Sequence, residues 1–201
     1  MPADLPTGRR ILVPGQVEDD ASIRLGTTDV CTNRDMLTAA RAANPAAVIL
    51  YKPHPDVEAG LRDGRIEDAR DFADVILSDT SAVAALDAVW TMTSTIGFEA
   101  ILRGKEVTCL GTPFYAGWGL TDYRAMPVDR RTASPTLEQF VFAVLIQYFD
   151  PVTGLPCPVD VVLEQIKTGT VPRPSRANRL FAKAQGALAS YAHLWLSLIH
   201  I

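Results

Sequence analysis

Cysteine is scarce in this chain of 201 residues: Cys31, Cys109 and Cys157 stand far apart and form no CxxC pair. An odd number of scattered thiols argues against a disulfide framework or a zinc site and fits a reducing cytosol. Long apolar runs are missing too. The longest candidate, Phe140–Ile146, falls well short of the ~18 residues that a membrane span needs. The opening MPADLPTGRR lacks the apolar core of a signal peptide. Positive charge is not in excess; a net charge of −4 gives no general attraction to nucleic acid. Neither GxGxxG nor GxxxxGK[ST] occurs, which removes the dinucleotide fingerprint and the P-loop. No group of His, Cys, Asp and Glu has metal-ligand spacing, so no metal is expected. What is present, 48% hydrophobic and 21% charged residues, suits one globular domain with a sizeable core.

Short apolar segments recur between helical patterns. Ile11–Val13 reads as a buried strand ending at the turn signal Pro14-Gly15. Residues 16–22 then form a loop carrying three adjacent acids, Glu18, Asp19 and Asp20. Residues 33–43 have helical periodicity with Met36, Leu37 and Ala40 inward. Ala47–Tyr51 is uniformly apolar, as a strand covered on both faces must be. Mixed loop and helix follow over 56–72, then a strand at Val75–Leu77, a short helix at Thr80–Leu86 and strands at Ala88–Met92 and Val107–Leu110. Between the last two, a helix follows Thr93-Ser94-Thr95 and ends at Gly104. Strands alternating with helices at this spacing predict βαβ crossovers, hence an α/β fold with a parallel sheet flanked by helices.

In such sheets ligands gather beyond the carboxyl ends of the strands. The polar clusters at 14–22, 52–56, 93–95 and 111–119 all fall there. His54 is the most specific feature, because prolines 53 and 55 hold it on a stiff extended segment where an imidazole meets a phosphate or shuttles a proton. Lys52 adds a cation. The alternative is a structural histidine in a proline-rich loop. Ser94 and Thr95 open a helix whose unpaired amides and dipole favour an anion, and Glu99 one turn later could accept from ribose hydroxyls. Alternatively, Ser94 or Thr95 is only an N-cap and Glu99 only complements the dipole. The acids 18–20 are either a solvated loop or a source of a base or nucleophile.

Four stretches in unbroken order, GQVEDDASI (15–23), YKPHPD (51–56), TSTIGFEAILRGKEVTCLGTPFYAGWGLTD (93–122) and DPVTGLPCP (150–158), closely resemble the capsule polysaccharide biosynthesis family of KpsC/LpsZ type. The resemblance covers about residues 9–168. It implies a retaining β-Kdo transferase that uses CMP-Kdo, with a GT-B-like architecture of two Rossmann-like halves. This chain would be the C-terminal, donor-binding half, with the acceptor half upstream. By position, Gln16, Lys52, His54, Pro55, Ser94 and Thr95 would hold the donor phosphate and Glu99 the ribose. Asp20 would attack the anomeric carbon, with Glu18 and His54 in supporting catalytic roles. Tyr115, Trp118 and Gly119 would line the substrate loop, unless these aromatics tuck into the core around a Gly-rich turn. The resemblance implies no cofactor or metal beyond the donor and a lipid-linked saccharide acceptor; the expected location is cytoplasmic, with peripheral contact to the inner face of the inner membrane as one option. The alternatives are another GT-B enzyme of sialyltransferase or epimerase type, or a non-catalytic nucleotide-binding module.

The domain reading is a Rossmann-like unit over 9–134 and a helical extension over 135–195. Within the extension, Pro135–Phe149 reads as one apolar helix, 150–158 as a proline-rich connection and Pro158–Lys167 as a second helix. Residues 173–195 are basic and amphipathic, a pattern that suits an anionic membrane surface or a helix packed on the other half. The last six residues, LSLIHI (196–201), back-translate to a sequence resembling a transposase adapter and are expected to be read-through.

Overall fold

The computed structural model describes residues 5–78, 85–150 and 152–170. Most of the expected helix at Thr80–Leu86, the basic stretch 173–195 and the terminal LSLIHI lie outside these residues. The chain divides into two units, residues 1–138 and 139–201.

The first unit is a six-stranded sheet in which every neighbouring pair runs parallel. Strands β1 (Arg10–Pro14), β2 (Val48–Lys52), β3 (Val75–Ile76), β4 (Ala88–Thr91), β5 (Glu106–Cys109) and β6 (Asp122–Tyr123) lie in the order 3-2-1-4-5-6. That is the order of a doubly wound Rossmann fold. Ile11, Leu12, Val13, Ile49, Leu50 and Val89 are fully buried, as covering both faces of a parallel sheet requires. Helix α1 (Ala21–Gly26) follows β1, and α2 (Asn33–Ala43) packs Met36, Leu37 and Ala40 into the core. Helix α3 is the single turn Pro55–Glu58. Helix α4 (Thr95–Leu102) joins β4 to β5 and is followed by Gly104 at φ +68°.

Sequence order reverses on either side of β1, so the carboxyl ends of β1 and β4 flank the topological switch point. Here crossovers leave the sheet in opposite directions and open a crevice. Thus the fold brings 15–20 and 92–95 together, although more than seventy residues separate them in the chain.

Two expectations need correction. Where the sequence predicts a loop through Ser22, helix α1 already begins at Ala21, and Asp20 caps it by accepting from the Ser22 amide. The larger correction concerns Pro135–Phe149. Helix α5 covers only Leu137–Val141, continues as a π-helical turn over Phe142–Ile146 and gives way to strand β7 (Gln147–Phe149). β7 pairs antiparallel with β8 (Pro156–Pro158), so the supposed connection is the turn and second strand of a hairpin. Asp150 Oδ1 accepts from the amides of Val152 and Thr153, an Asx-type turn that reverses the chain. Helix α6 (Val159–Thr168) follows as expected.

Candidate active site

Outside the switch point lies a cleft of about 420 Å³ lined by Gly15, Gln16, Val17, Asp20, Ser22, Ile23, His54, Asp56, Arg62, Thr93, Ser94 and Thr95. It draws on the loops after β1, β2 and β4, the ends at which a doubly wound sheet presents its ligands. His54, Asp20, Gln16, Ser94 and Thr95 are therefore gathered in one place.

Ser94, Gln16, His54 and Asp20 are held by local hydrogen bonding. Ser94 caps α4: its Oγ accepts from the Ile96 amide at 3.2 Å, and its own amide donates to the buried Thr91 Oγ1 at 3.1 Å. The carbonyl of Ser94 accepts from the Tyr115 hydroxyl. The positive end of α4 is thereby fixed at the cleft wall. Gln16, almost completely buried, accepts through Oε1 from both the amide and hydroxyl of Thr93, each at 2.9 Å. It clamps the β1 loop to the β4 loop. His54 is the N-cap of α3, its Nδ1 accepting from the Asp56 amide at 3.2 Å. In the neutral ring that bond leaves the proton on Nε2, a donor for an anion. Asp20 Oδ2 accepts from the Ser22 amide at 3.0 Å and from its hydroxyl at 2.6 Å. The hydroxyl bond first, then the amide bond, holds the Asp20 carboxyl below its usual range, so it stays ionised.

Other expected residues lie elsewhere. Lys52 does not line the cleft; its ammonium donates to the Pro53 carbonyl at 3.3 Å. Pro55 occupies the first position of α3, where its missing N–H costs nothing. The Glu18 carboxylate accepts from the Asn33 amide at 2.7 Å, tying its loop to the start of α2. Glu99 lies outside the lining and pairs with Arg103 at 3.3 Å. Tyr115 is fully buried, so it cannot be a wall that substrate touches. Its ring stacks on Phe98 at 6.1 Å and its hydroxyl serves Ser94 instead. Trp118 donates to the Phe114 carbonyl at 2.8 Å beneath the Arg131 guanidinium, and neither it nor Gly119 lines the cleft. Tyr115 is thus a packed brace behind α4, whereas Trp118 is half-buried and Gly119 exposed.

Two residues carry more of the site than the sequence suggested. Arg62 lines the cleft with Nε 3.0 and 3.1 Å from the two oxygens of Asp19. Asn33, fully buried, accepts from the Gln16 amide at 2.8 Å and donates to the carbonyls of Gln16 at 2.7 Å and Gly64 at 2.9 Å. Three backbone groups depend on that amide, and truncation leaves them buried without partners. Asn33→Ala is expected to lower stability by roughly 2–4 kcal/mol in denaturant unfolding. A loss under about 0.5 kcal/mol would mean that Asn33 does not organise these loops.

Residues 4–153 match the capsule polysaccharide biosynthesis protein family. The chain belongs to that family. Over 145 residues it is 51% identical to the capsule polysaccharide modification protein LipA of Neisseria meningitidis serogroup B, covering 70% of this chain and 20% of that protein. Over 146 residues it is 47% identical to the lipopolysaccharide-processing protein LpsZ of Rhizobium meliloti, covering 70% of this chain and 33% of that protein. Among solved structures it superposes on the Thermosulfurimonas dismutans KpsC β-Kdo 2,7 transferase with a TM-score of 0.65 and 36% identity, covering 80% of this chain and 54% of the other. The β-Kdo 2,4 transferase of the same organism gives a TM-score of 0.62 at 33% identity, with 82% and 53% covered. The family member described here thus spans about half of the solved chains and a third or less of these curated relatives. Among the described residues, no helix is long and apolar enough to cross a membrane.

Proposed function

We propose that this chain is the donor-binding half of a β-Kdo transferase of capsule synthesis, which takes Kdo from CMP-Kdo and passes it to a lipid-linked saccharide. The reading rests chiefly on the cleft at the switch point, where the N-terminus of α4, the Ser94 and Thr95 hydroxyls and His54 converge. Amides at a helix start, hydroxyls and an imidazole donor are the groups that a nucleotide phosphate selects. Glu99 lies four residues after Thr95, on the same face of α4 one turn behind the cleft. In this proposal it leaves Arg103 to accept from the ribose hydroxyls. Gln16 acts by holding Thr93, and Lys52 and Pro55 shape the segment that presents His54. The acceptor would be met by a second Rossmann-like half, completing a GT-B arrangement beside the membrane that carries the lipid.

Retention at the anomeric carbon is obtained by two displacements. The Asp20 carboxylate attacks that carbon while its bond to the phosphate oxygen breaks and CMP departs with the electron pair. An acceptor hydroxyl then attacks the same carbon, Asp20 leaves as a carboxylate, and the hydroxyl proton passes to solvent water. Ionised Asp20 suits the first step. Glu18, engaged with the start of α2, supports the loop that carries Asp20.

Calorimetric titration of the chain with CMP, dCMP and UDP, alongside the His54→Ala variant, tests the reading. Saturable CMP binding is expected, weaker for dCMP and absent for UDP. The variant should lose about tenfold or more in CMP affinity, since a hydrogen bond to a charged group is worth roughly 1.5–3 kcal/mol. Equal binding of CMP by the variant would remove His54 from the site. Failure of the folded chain to bind CMP would remove the donor reading.

A further inference from the structure

Among the described residues, Arg62 is the single Lys or Arg lining the cleft, and nothing in the phosphate site needs it. The phosphate has α4 and His54; Arg62 stands instead beside the acids. Its Nε bridges both oxygens of Asp19, and the hydrogen bond to Asp19, followed by the nearby charges of Asp19, Asp20 and Asp56, pushes its pKa up. Its loop is pinned from both sides. The Glu18 amide donates to the Asp63 carbonyl at 3.1 Å, and Asn33 Nδ2 donates to the Gly64 carbonyl at 2.9 Å. Gly60 donates to the Val57 carbonyl at 3.0 Å and Leu61 to the Asp56 carbonyl at 2.8 Å. The Arg62 side chain remains exposed at the cleft mouth, paired with Asp19 on an anchored loop, and its planar fork is the geometry that suits a carboxylate.

The substrate chemistry says what it would recognise. Kdo is an ulosonic acid: its carboxylate is bonded directly to the anomeric carbon. Any residue that attacks this carbon must therefore have the sugar carboxylate as an immediate neighbour, and Asp20 and Asp56, both in the lining, would repel it. The donor brings two separate anions, phosphate and carboxylate, and the cleft holds two separate sets of groups suited to anions. We propose that Arg62 binds the carboxylate of the ulosonic acid, offsetting the repulsion from Asp20 and selecting sugar acids over neutral sugars. This rests on the donor-site reading above and goes beyond it by naming the group that reads the sugar.

Titrations of the chain and of Arg62→Gln and Arg62→Lys with CMP and with CMP-Kdo test it, with circular dichroism confirming that each variant is folded. The unaltered chain should bind CMP-Kdo more tightly than CMP. Arg62→Gln should weaken CMP-Kdo binding roughly 10- to 100-fold, the range for losing a charge-assisted pair, while CMP binding changes less than about threefold. Arg62→Lys, which keeps the charge but not the planar fork, should fall between them. Equal weakening of both ligands would make Arg62 a phosphate contact and overturn the proposal. So would an unchanged CMP-Kdo affinity, or CMP-Kdo binding no tighter than CMP in the unaltered chain. Binding of neither ligand by the unaltered chain is the distinct result that removes the donor-site reading and, with it, this one.

Discussion

Asp20→Asn in the complete enzyme is expected to reduce Kdo transfer on the order of 10³-fold or more while CMP affinity changes less than about threefold. The split follows from the two jobs of this side chain. As an N-cap it accepts from the Ser22 amide, and asparagine caps helices as well as aspartate does. The amide is also nearly isosteric, so α1 and the cleft wall should survive. As a nucleophile it must offer an ionised oxygen, which an amide does not have. Asp20→Ala separates the same jobs from the other side: it removes the nucleophile and also the cap, costing about 1 kcal/mol of stability. Intact-mass measurement of the native enzyme held with CMP-Kdo and no acceptor should find one Kdo added on the peptide containing Asp20, and none on the asparagine variant. Retained transfer by Asp20→Asn, or an adduct on a different carboxylate, would move the attack elsewhere.

Much of this site can be read from residue types alone, and the exceptions have physical causes. β1, β2, β4 and β5 announce themselves because strands buried on both faces must be continuously apolar. β6, only Asp122–Tyr123, is too short and polar to leave such a mark. His54 is legible because two prolines fix its backbone, a purely local effect. Arg62 is not, since it sits in a polar stretch and meets Asp19 only where two loops cross, 43 positions apart. Tyr115 illustrates a different gap. Aromatics between glycines fit an exposed substrate wall or a packed brace equally well, and only the three-dimensional position of Phe98 and Ser94 decides between them. The helix expected after Pro135 has a similar origin: FAVLIQYF is apolar at every position but Gln147, so periodicity cannot mark where π-helix becomes strand.

Gly97→Ala should be the most damaging small substitution in α4, although helix propensity alone argues the reverse. An exposed Gly→Ala change inside a helix gains about 1 kcal/mol. Here a methyl group at residue 97 would stand 2.3 Å from the Tyr115 Oη, 2.9 Å from its Cζ and 3.1 Å from the Thr91 Cγ2. Those atoms cannot yield. Tyr115 is fully buried, stacked on Phe98 and bonded to the Ser94 carbonyl, and Thr91 is buried under the Ser94 amide. Overpacking of about 1–3 kcal/mol therefore wins over the propensity gain, and the strain relaxes by lifting the first turn of α4 away from the sheet. Because that turn carries Ser94 and Thr95, stability and ligand affinity should fall together. The expected signs are a melting temperature lower by roughly 3–8 °C and CMP binding weakened about tenfold or more. Tyr115→Phe should partly rescue the variant by deleting the atom at 2.3 Å, yet not fully, since the ring carbon at 2.9 Å remains and the bond to Ser94 is lost. The two changes should therefore be strongly non-additive. Additive losses would mean that the glycine and the tyrosine act independently. A Gly97→Ala chain with unaltered melting and binding would show that the start of α4 need not be held against the sheet for the phosphate to be captured.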